Sequence, residues 1–565
     1  MESLQREGFA LSFGQFRYKE VALEGFKPVT DKSWRVLLVY PKFVPNSFWG
    51  YTEACKIVGA RYPAAPLGLI TVAALLPQTW EFKLVNCNTE ELNDADIDWA
   101  DMVMTGGMLN QQPDCLRLID RCHEHRKPVV VGGPDVTSSP HVYAAADFQV
   151  LGEAEDIIKD FIAAWERGDR SGIFNAEKFQ VDVTKTPMPR FDLLDLSHYL
   201  YICVQYSRGC PFTCEFCDII ELYGRKPRTK SNDQILAELQ ALYDLGYRGH
   251  VDFVDDNLIG NKKALRIFLP MLKAWQEAHG YPFEFSTEAS INLSDDDELM
   301  QAMKDANFWL VFIGIESPDP ETLVQMRKKQ NTRRNIAESV HRIYSYGMAV
   351  TAGFIIGFDS EKAKVGESMA AFVDDCAVPV AMVGLLYALP GTQLTRRLEK
   401  EGRLYQGHDV MHEDRAGDQC SIGINFEPVR PLREILTDYK AVVDTVFAPE
   451  NFARRLERLA TMLDRSDRRN TPVAGDRRGA VSDVEMVRTI INAVPGTREV
   501  FWNTFKTVAR SNPHALRYIM ILMSLYMHLG PFSKRVSAEI DRRIAEIDAA
   551  ESRGTAAPAL AAAAL

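Results

Sequence analysis

Short apolar runs alternate with helical stretches over the first 170 residues of the chain. Each run is short and apolar enough to form a buried strand, and glycine follows several of them. The runs are RVLLVYP (35–41), FKLVN (82–86), DMVMTGG (101–107), PVVVGGP (128–134) and DFQVLGE (147–153). This alternation predicts an open parallel sheet that binds ligands at the carboxyl ends of its strands. We therefore expect a Rossmann-like domain at 33–170, after a polar leader at 1–32.

A second alternation begins at residue 201 and continues to about 400, after a connector at 171–200. Its strand candidates are ICVQYS, HVDFVDD, FEFSTEA, WLVFIGIE, VTAGFIIGF and AMVGLLYALP. These units predict a partial (βα)6 barrel, in which the reactive groups lie on the loops after the strands. The pattern becomes mainly helical over 401–550, with a charged linker at 466–483 and a disordered, low-complexity tail at 551–565. The expected fold class is α/β, with a Rossmann-like domain, a central partial barrel and a helical C-terminal region.

Composition narrows the class of protein. Apolar residues make up 46% of the 565 residues and charged residues 25%, as in a soluble protein with a sizeable core. The net charge of −12 argues against a broad nucleic-acid footprint. No apolar run approaches the roughly 20 residues that cross a bilayer, and the start lacks the layout of a secretory signal. We therefore expect a cytoplasmic protein, whose ten cysteines are thiols or metal ligands.

Three cysteines stand close together directly after a predicted strand. The stretch SRGCPFTCEFCDII places Cys210, Cys214 and Cys217 at the spacing C-x3-C-x2-C. Thiolates are soft ligands that suit iron–sulfur clusters or zinc. A structural zinc site needs a fourth ligand, which no local spacing supplies, whereas three cysteines on a four-iron cluster leave one iron open for a substrate. A noncatalytic protein with a zinc knuckle stays open as the alternative.

This motif resembles that of the radical S-adenosylmethionine (SAM) superfamily, and Phe216 matches the aromatic residue before its last cysteine. The resemblance covers roughly 200–400 and implies that the three cysteines hold a [4Fe-4S] cluster whose open iron binds SAM. Reductive cleavage of SAM would then yield a 5′-deoxyadenosyl radical, which removes hydrogen from an unactivated carbon.

The resemblance also implies SAM contacts at the later strand ends. Acidic and amide side chains in VDFVDDN are expected to receive the methionine amino group, and polar residues in STEAS and GIES to contact the ribose or the amino acid portion. The GFIIGF element is expected near adenine. The residues concerned are Asp255, Asp256, Asn257, Ser286, Glu288, Glu316, Gly353 and Gly357. For any single acidic residue, a solvated loop charge is the alternative.

The N-terminal domain resembles the cobalamin-binding subgroup of this superfamily in RVLLVYPKFVPNSFWG, GGPDVTSSPH and LGEAE. The resemblance implies bound cobalamin, with Gly106, Gly107, Gly132 and Gly133 next to the corrin and its nucleotide tail. VNCNTEEL stands where a cobalt-binding D-x-H-x-x-G motif would lie, so cobalamin is expected without an axial imidazole. The missing G-x-G-x-x-G fingerprint argues against nicotinamide or flavin. A purely scaffolding domain is the alternative.

The remaining signals concern the substrate. Aromatic side chains at Phe48, Trp49, Tyr51 and Tyr62 either belong to the core or line the substrate side of the corrin. CSIGINFEPVR and the helical sequence after it resemble a branch that includes the hopanoid C-2 methyltransferases. The branch implies a hopanoid lipid substrate, methylation at C-2, an unidentified electron donor and peripheral membrane contact. Another substrate or an oxidative cyclisation stays open, and the apolar run at 518–532 suits a bundle helix or a lipid-facing surface.

Overall fold

A computed structural model describes residues 32–45, 47–411, 420, 423–466 and 483–553. Residues 1–31 of the predicted leader, 467–482 of the predicted linker and 554–565 of the predicted tail lie outside the described residues.

The N-terminal sheet has six parallel strands, and helices cover both of its faces. The strands are β1 (Arg35–Tyr40), β3 (Glu81–Asn86), β4 (Met102–Gly106), β5 (Val129–Gly132), β6 (Phe148–Leu151) and β7 (Gly172–Asn175). Their order in the sheet is β3-β1-β4-β5-β6-β7. Helices α2 (Leu67–Leu75) and α6 (Ala154–Arg167) cover one face, and α3 (Asp94–Trp99), α4 (Gln112–Glu124) and α5 (Pro134–Ser138) cover the other. The chain passes from β1 to β3 on one side and from β4 to β5 on the other, which places a topological switch point between β1 and β4.

The second sheet is the predicted partial barrel, and all its strands run parallel. Its strands are β2 (Tyr62–Ala64), β8 (Tyr199–Val204), β11 (Gly249–Phe253), β12 (Phe283–Glu288), β13 (Phe308–Glu316), β14 (Ala349–Ile356) and β15 (Ala381–Leu385). The order β15-β14-β13-β12-β11-β8-β2 contains the six predicted strands and adds β2, which comes from the N-terminal part of the chain. A short antiparallel hairpin, β9 (Ser207–Arg208) with β10 (Arg228–Thr229), follows β8.

Helices surround the barrel and form the C-terminal part. A small helix α1 (Thr52–Ile57) precedes β2, and the barrel helices are α7 (Ile219–Leu222), α8 (Asn232–Asp244), α9 (Lys262–Ala278), α10 (Asp297–Asp305), α11 (Pro320–Gln325), α12 (Ile336–Ser345), α13 (Val365–Asp375) and α14 (Gln393–Lys400). The C-terminal helices are α15 (Leu432–Val446), α16 (Pro449–Met462), α17 (Asp483–Asn492), α18 (Arg498–Ser511) and α19 (Leu516–Ser552).

The apolar run at 518–532 lies inside this helical bundle. Ile519, Leu522, Met523 and Leu529 of α19 are fully buried, because α19 packs against α15, α16 and α1. The burial agrees with the bundle interpretation of this run. Within the described part of the chain, none of the helices combines the length and the apolar character needed to cross a bilayer.

The carboxyl ends of the two sheets face each other. Glu153, which follows β6, forms ion pairs with Arg208 at 3.0 Å and with Arg228 at 2.9 Å. Both arginines belong to the β9–β10 hairpin. Arg208 lies just before the cysteine motif, and Arg228 lies after it. Ligands of parallel sheets bind at the carboxyl ends of the strands. A ligand bound by one sheet would therefore lie close to a ligand bound by the other.

Candidate active site

The loop that carries the three cysteines is fixed at both ends. Gly209 has φ +96°, a conformation that favours glycine, and the Cys210 N–H donates to the carbonyl of Gly224 at 3.2 Å. Farther along, Glu215 accepts a bond of 2.8 Å from Arg397 of α14. The Cys217 N–H also donates to the Cys214 carbonyl at 3.3 Å. The thiols are therefore held in one turn at the carboxyl end of the barrel.

Hydrogen-bond donors and a cation surround these sulfur atoms. The Asn257 amide donates to Cys210 Sγ at 3.9 Å, and the Gln330 amide donates to Cys214 Sγ at 3.8 Å. Burial raises the pKa of the Cys214 thiol, and the ammonium group of Lys328 opposes that rise. Donors and a positive charge stabilise thiolate, so the surroundings suit an anionic ligand set.

A four-iron cluster fits this arrangement. In the described residues, no three histidine, cysteine, aspartate or glutamate side chains converge as the ligands of a single metal ion would. The cysteines of a [4Fe-4S] cluster each bind a different iron, so they need to surround a volume rather than meet at a point. Cys210, Cys214 and Cys217 lie close enough to influence one another electrostatically.

Glu316 and Lys328 form a buried ion pair next to the cysteines. The Lys328 Nζ to Glu316 Oε1 distance is 2.6 Å. Glu316 has φ +69° at a bulge where β13 leaves its register with β14, an uncommon conformation for a side-chain-bearing residue. A Cβ atom on Gly314 would lie 2.3 Å from Glu316 Oε1 and 2.7 Å from Lys328 Nζ. Glycine at 314 therefore makes room for the ion pair.

The three polar residues after β11 brace the cysteine loop. Both carboxylate oxygens of Asp255 accept backbone N–H bonds, from Tyr206 at 2.9 Å and Ser207 at 2.5 Å. Asp256 accepts from the Gly209 N–H at 2.7 Å. Asn257 is buried between Cys210 and Ser290. Burial raises the pKa of Asp255 to about 7 and that of Asp256 to about 6.

The barrel interior has a polar half. Along β11 and β12, Asp252, Ser286 and Glu288 share the inner face with Tyr201 and Cys203 of β8. Glu288 is exposed to this interior and has no side-chain hydrogen bond among the described residues. Burial within the barrel raises its pKa to about 8, with Asp252, Asp256 and Asp255 adding to the rise. An interior lined by clustered carboxyl groups attracts a cationic ligand such as a sulfonium.

A hydrogen-bond chain orients Asp252 within this half. The Trp309 indole N–H donates to His250 Nδ1 at 3.1 Å, so the ring proton of neutral His250 lies on Nε2. His250 then donates to Ser286 Oγ at 2.7 Å, and Ser286 donates to Asp252. Burial lowers the pKa of His250 to about 3. The Ser286 hydroxyl therefore both accepts and donates a hydrogen bond within this network.

The other half of the interior is apolar. On β13, Leu310 and Phe312 are half-buried, whereas Val311 and Ile313, which alternate with them, are fully buried. The alternation shows that one face of the strand packs on helices and the other lines an accessible interior. Ile355 of β14 and Met382 of β15 are half-buried on the inner face as well.

One aromatic residue of the N-terminal part enters this apolar half. Phe48, Tyr51 and Tyr62 are buried, as expected for core residues, but Trp49 is 41% exposed. The Trp49 ring lies 5.7 Å from the ring of Phe312, centre to centre. Its loop starts at the carboxyl end of β1 and is held at the switch point, where the Gln111 amide donates to the Pro41 carbonyl at 2.7 Å. The loop therefore connects the ligand edges of the two sheets.

The glycines of the GFIIGF element have steric roles. A Cβ atom on Gly353 would lie 3.2 Å from the ring of Phe312, and Gly357 has φ +116°. The Gly357 N–H donates to buried Glu361 at 2.9 Å, which fixes the turn after β14. Phe216 of the cysteine motif packs against Phe358 of this turn, with ring centres 6.0 Å apart.

The glycines of the N-terminal sheet lie at its carboxyl edge, beside the switch point. A Cβ atom on Gly106 would lie 2.3 Å from the Gly132 carbonyl oxygen, and one on Gly107 would lie 2.8 Å from Gln111 Oε1. Gly133 has φ +98°. Close packing within the protein thus explains Gly106 and Gly107, and the contact of these glycines with a corrin stays a prediction. The VNCNTEEL sequence lies at the end of β3 and in the loop after it, and binding of cobalamin without an axial imidazole stays a prediction.

Known proteins agree with this geometry. The profile of the radical SAM superfamily matches residues 204–372, and that of a domain of unknown function (DUF4070) matches residues 392–542. An uncharacterized methyltransferase of Synechocystis sp. is 41% identical over 90% of this chain and 94% of its own length. The hopanoid C-2 methylase of Rhodopseudomonas palustris is 35% identical over 81% of this chain and 86% of its own.

Among solved structures, the cobalamin-dependent SAM radical enzyme OxsB, with aqua-cobalamin and SAM bound, has the same fold. Its TM-score is 0.57 at 13% identity, over 91% of this chain and 81% of that chain. The chain belongs to the radical SAM superfamily, and within it to a family of methyltransferases.

Several residues of the site have no local sequence signal. Lys328 and Gln330 lie after α11, more than 100 residues from the cysteines they approach. Their positions depend on how the barrel closes. Glu361 does have a local sequence signal, because it stands four residues after Gly357 in the same turn.

Proposed function

We propose that this protein is a cobalamin-dependent radical SAM methyltransferase that adds a methyl group to C-2 of a hopanoid lipid. The observation that carries the substrate is the 35% identity to a hopanoid C-2 methylase over most of both chains. The apolar half of the barrel interior supports it, because a polycyclic hydrocarbon needs an apolar wall close to the reacting groups.

In this proposal Cys210, Cys214 and Cys217 hold the cluster, while Asn257, Gln330 and Lys328 stabilise its negative charge. Asp256, Glu288 and Glu316 form the polar wall beside SAM, and Gly353 and Gly357 leave room for adenine. Ser286 acts through Asp252, to which its hydroxyl donates a hydrogen bond. Asp255 acts through the loop that it braces, since the backbone N–H groups of Tyr206 and Ser207 occupy its oxygens. Cobalamin lies at the edge formed by Gly106, Gly107, Gly132 and Gly133.

When bound, the cluster, SAM and cobalamin would supply the chemistry that replaces one substrate C–H hydrogen by a methyl group. In the overall reaction one SAM would leave as S-adenosylhomocysteine and a second as methionine and 5′-deoxyadenosine, and a donor would supply two electrons. The protein's part is to exclude water and hold the target carbon between the two ligand edges. The ion pairs of Glu153 with Arg208 and Arg228 set the separation of those edges. Hopanoids reside in membranes, so the enzyme takes up its substrate through peripheral contact with a bilayer.

Lipid analysis tests the substrate. Membrane lipids are compared by mass spectrometry between hopanoid-producing cells with the gene, without it, and with the Cys214→Ala variant. We expect the C-2-methylated hopanoid to appear with the wild-type gene alone. Unchanged hopanoids in cells whose protein still cleaves SAM in vitro would contradict the hopanoid assignment and leave the radical chemistry standing.

A further inference from the structure

Helix α19 is anchored both to the barrel and to the C-terminal bundle, and most of it belongs to the DUF4070 match. Arg517, in its first turn, donates to Glu284 of β12 at 3.1 Å. The ring of Tyr518 lies 5.1 Å from the ring of Trp309 on β13, centre to centre. Farther along, the Tyr526 hydroxyl donates at 2.6 Å to the carbonyl that caps α15. The helix is therefore a support whose position is tied to the barrel strands.

The loop after β1 makes a tight turn from Ser47 to Gly50. The Gly50 N–H donates to the Ser47 carbonyl at 3.2 Å, the bond that closes a four-residue turn. The Trp49 N–H also donates to Ser47 Oγ at 3.3 Å. Phe48 and Trp49 are the two central residues of the turn. Whatever fixes the turn therefore also fixes the direction of the Trp49 indole.

One side chain of α19, that of His528, binds this turn directly. Its Nε2 lies 2.9 Å from the Ser47 carbonyl oxygen, which only accepts, so Nε2 carries the ring proton and donates. The ring lies against Tyr51, with centres 5.5 Å apart, and stacks on Phe532 at 5.6 Å. Phe532 in turn meets Phe48 at 5.9 Å. Burial lowers the pKa of His528, so the ring is a neutral donor.

The contacts with α19 cover the residues around Trp49 and leave Trp49 itself accessible. Phe48 is 1% exposed and Tyr51 is 5% exposed, whereas Trp49 between them is 41% exposed and reaches Phe312 in the apolar half of the barrel. A histidine that only filled the core would not need the one carbonyl that closes this turn. The bond joins residues 481 positions apart, so α19 connects the loop after β1 to the barrel.

We propose that His528 is a positioning residue for the substrate: it holds the turn from Ser47 to Gly50 so that Trp49 forms a wall of the substrate site beside Phe312. The proposal rests on the proposed function, which places the substrate in the apolar half of the barrel. It also assigns a task to the C-terminal region that matches DUF4070. Through α19, that region fixes a substrate-facing loop of the N-terminal part.

The test uses full-length protein loaded with cluster and cobalamin, and a hopanoid in phospholipid vesicles. His528→Leu removes the donor and keeps an apolar side chain, whereas His528→Gln keeps an N–H at a similar reach. His279→Leu is the matched control, because His279 also bonds a backbone carbonyl, that of Trp275 at 2.8 Å, and stacks on an aromatic ring. His279 caps α9 on the outside of the barrel.

Four quantities are measured. They are the KM for the hopanoid, the KM for SAM, the amount of 5′-deoxyadenosine per methylated product, and the hydrogen exchange of a peptide that spans residues 47–57 in substrate-free protein. A merely structural role lowers the yield of folded protein but leaves the two KM values and the coupling unchanged. Iron and cobalamin contents are determined for every variant.

We expect His528→Leu to raise the hopanoid KM about three- to tenfold, as for the loss of one buried hydrogen bond. It should also form more 5′-deoxyadenosine per product and exchange the 47–57 peptide faster. The SAM KM and the cofactor contents should stay within about twofold of wild type. His528→Gln should recover most of the loss, and His279→Leu should behave as wild type.

A double variant tests whether His528 acts through Trp49. We expect His528→Leu to add little to the hopanoid KM of Trp49→Ala, because residues that act through one contact are not additive. Two effects that multiply in full would overturn the proposal. An unchanged hopanoid KM and coupling in His528→Leu would also overturn it, as would a matching loss of iron or cobalamin.

Two measurements keep the proposal testable in other circumstances. If His528→Leu does not fold, His528→Gln is compared with His528→Asn, whose shorter amide does not reach Ser47, and equal behaviour of the two overturns the proposal. Wild-type protein that cleaves SAM but methylates no hopanoid would contradict the proposed substrate. Exchange of the 47–57 peptide then still decides whether His528 holds the loop, and unchanged exchange in His528→Leu would show that it does not.

Discussion

Trp49 provides a quantitative test of where the substrate lies. The indole is 41% exposed and lies 5.7 Å from the Phe312 ring, between the ligand edges of the two sheets. That exposed fraction corresponds to roughly 60–100 Å² of apolar surface. At ~25 cal/mol per Å², covering it with an apolar substrate contributes about 1.5–2.5 kcal/mol, so Trp49→Ala should weaken substrate affinity about 10- to 70-fold.

The assay uses cluster- and cobalamin-loaded protein with a hopanoid in phospholipid vesicles. The substrate KM and the amount of 5′-deoxyadenosine formed per methylated product are both measured. We expect Trp49→Ala to raise the KM and to form more 5′-deoxyadenosine per product, because a misplaced substrate lets the radical react elsewhere. Trp49→Phe should recover most of the affinity.

Trp99→Ala is the control, because it also removes a partly exposed indole, at the end of α3 and the opposite edge of the sheet. Trp99→Ala should leave the substrate KM and the amount of 5′-deoxyadenosine per product near their wild-type values. Wild-type KM and coupling in Trp49→Ala would refute the placement of the substrate. A matching loss of iron or cobalamin content would refute it too, because Trp49 would then support a cofactor rather than the substrate.

Three other substitutions test the SAM side of the site. Gly314→Ala would push a methyl group into the Glu316–Lys328 pair, so we expect the melting temperature to fall and SAM affinity to drop about tenfold or more. Glu288 has a pKa near 8 without ligand, and its ionised form attracts SAM, so wild-type SAM affinity should rise with pH from about 6 to 8 and the Glu288→Gln profile should be flatter. Cys214→Ala should lose the iron–sulfur absorption band and SAM cleavage together, and retained cleavage would contradict the cluster assignment.

Most strands were predictable because a strand with few solvent-exposed side chains is a short apolar run. Arg35–Tyr40 and Phe308–Glu316 are such runs, and each lies where the pattern places it. The pattern missed Tyr62–Ala64, since three residues carry no periodicity and its partner β8 begins more than 130 residues later. It also missed Gly172–Asn175, an edge strand in the predicted connector, whose exposed side chains weaken the apolar signal.

The parts of the site that short sequence motifs encode were predictable. The spacing of Cys210, Cys214 and Cys217 identifies the chemistry, and strand ends indicate where acidic residues gather. The contacts of each carboxylate depend on tertiary structure: Asp255 braces a turn, whereas Glu288 stays free in the interior. Lys328 lies too far along the chain for any motif to pair it with Glu316.

Transfer of an isotopically labelled methyl group tests the hopanoid C-2 assignment most directly. Purified, cofactor-loaded protein is given an unmethylated hopanoid and SAM that carries a trideuterated methyl group. We predict a product with one intact trideuteromethyl group, which fragmentation and NMR place at C-2. Formation of 5′-deoxyadenosine without any labelled hopanoid, or a label at another carbon, would contradict the assignment.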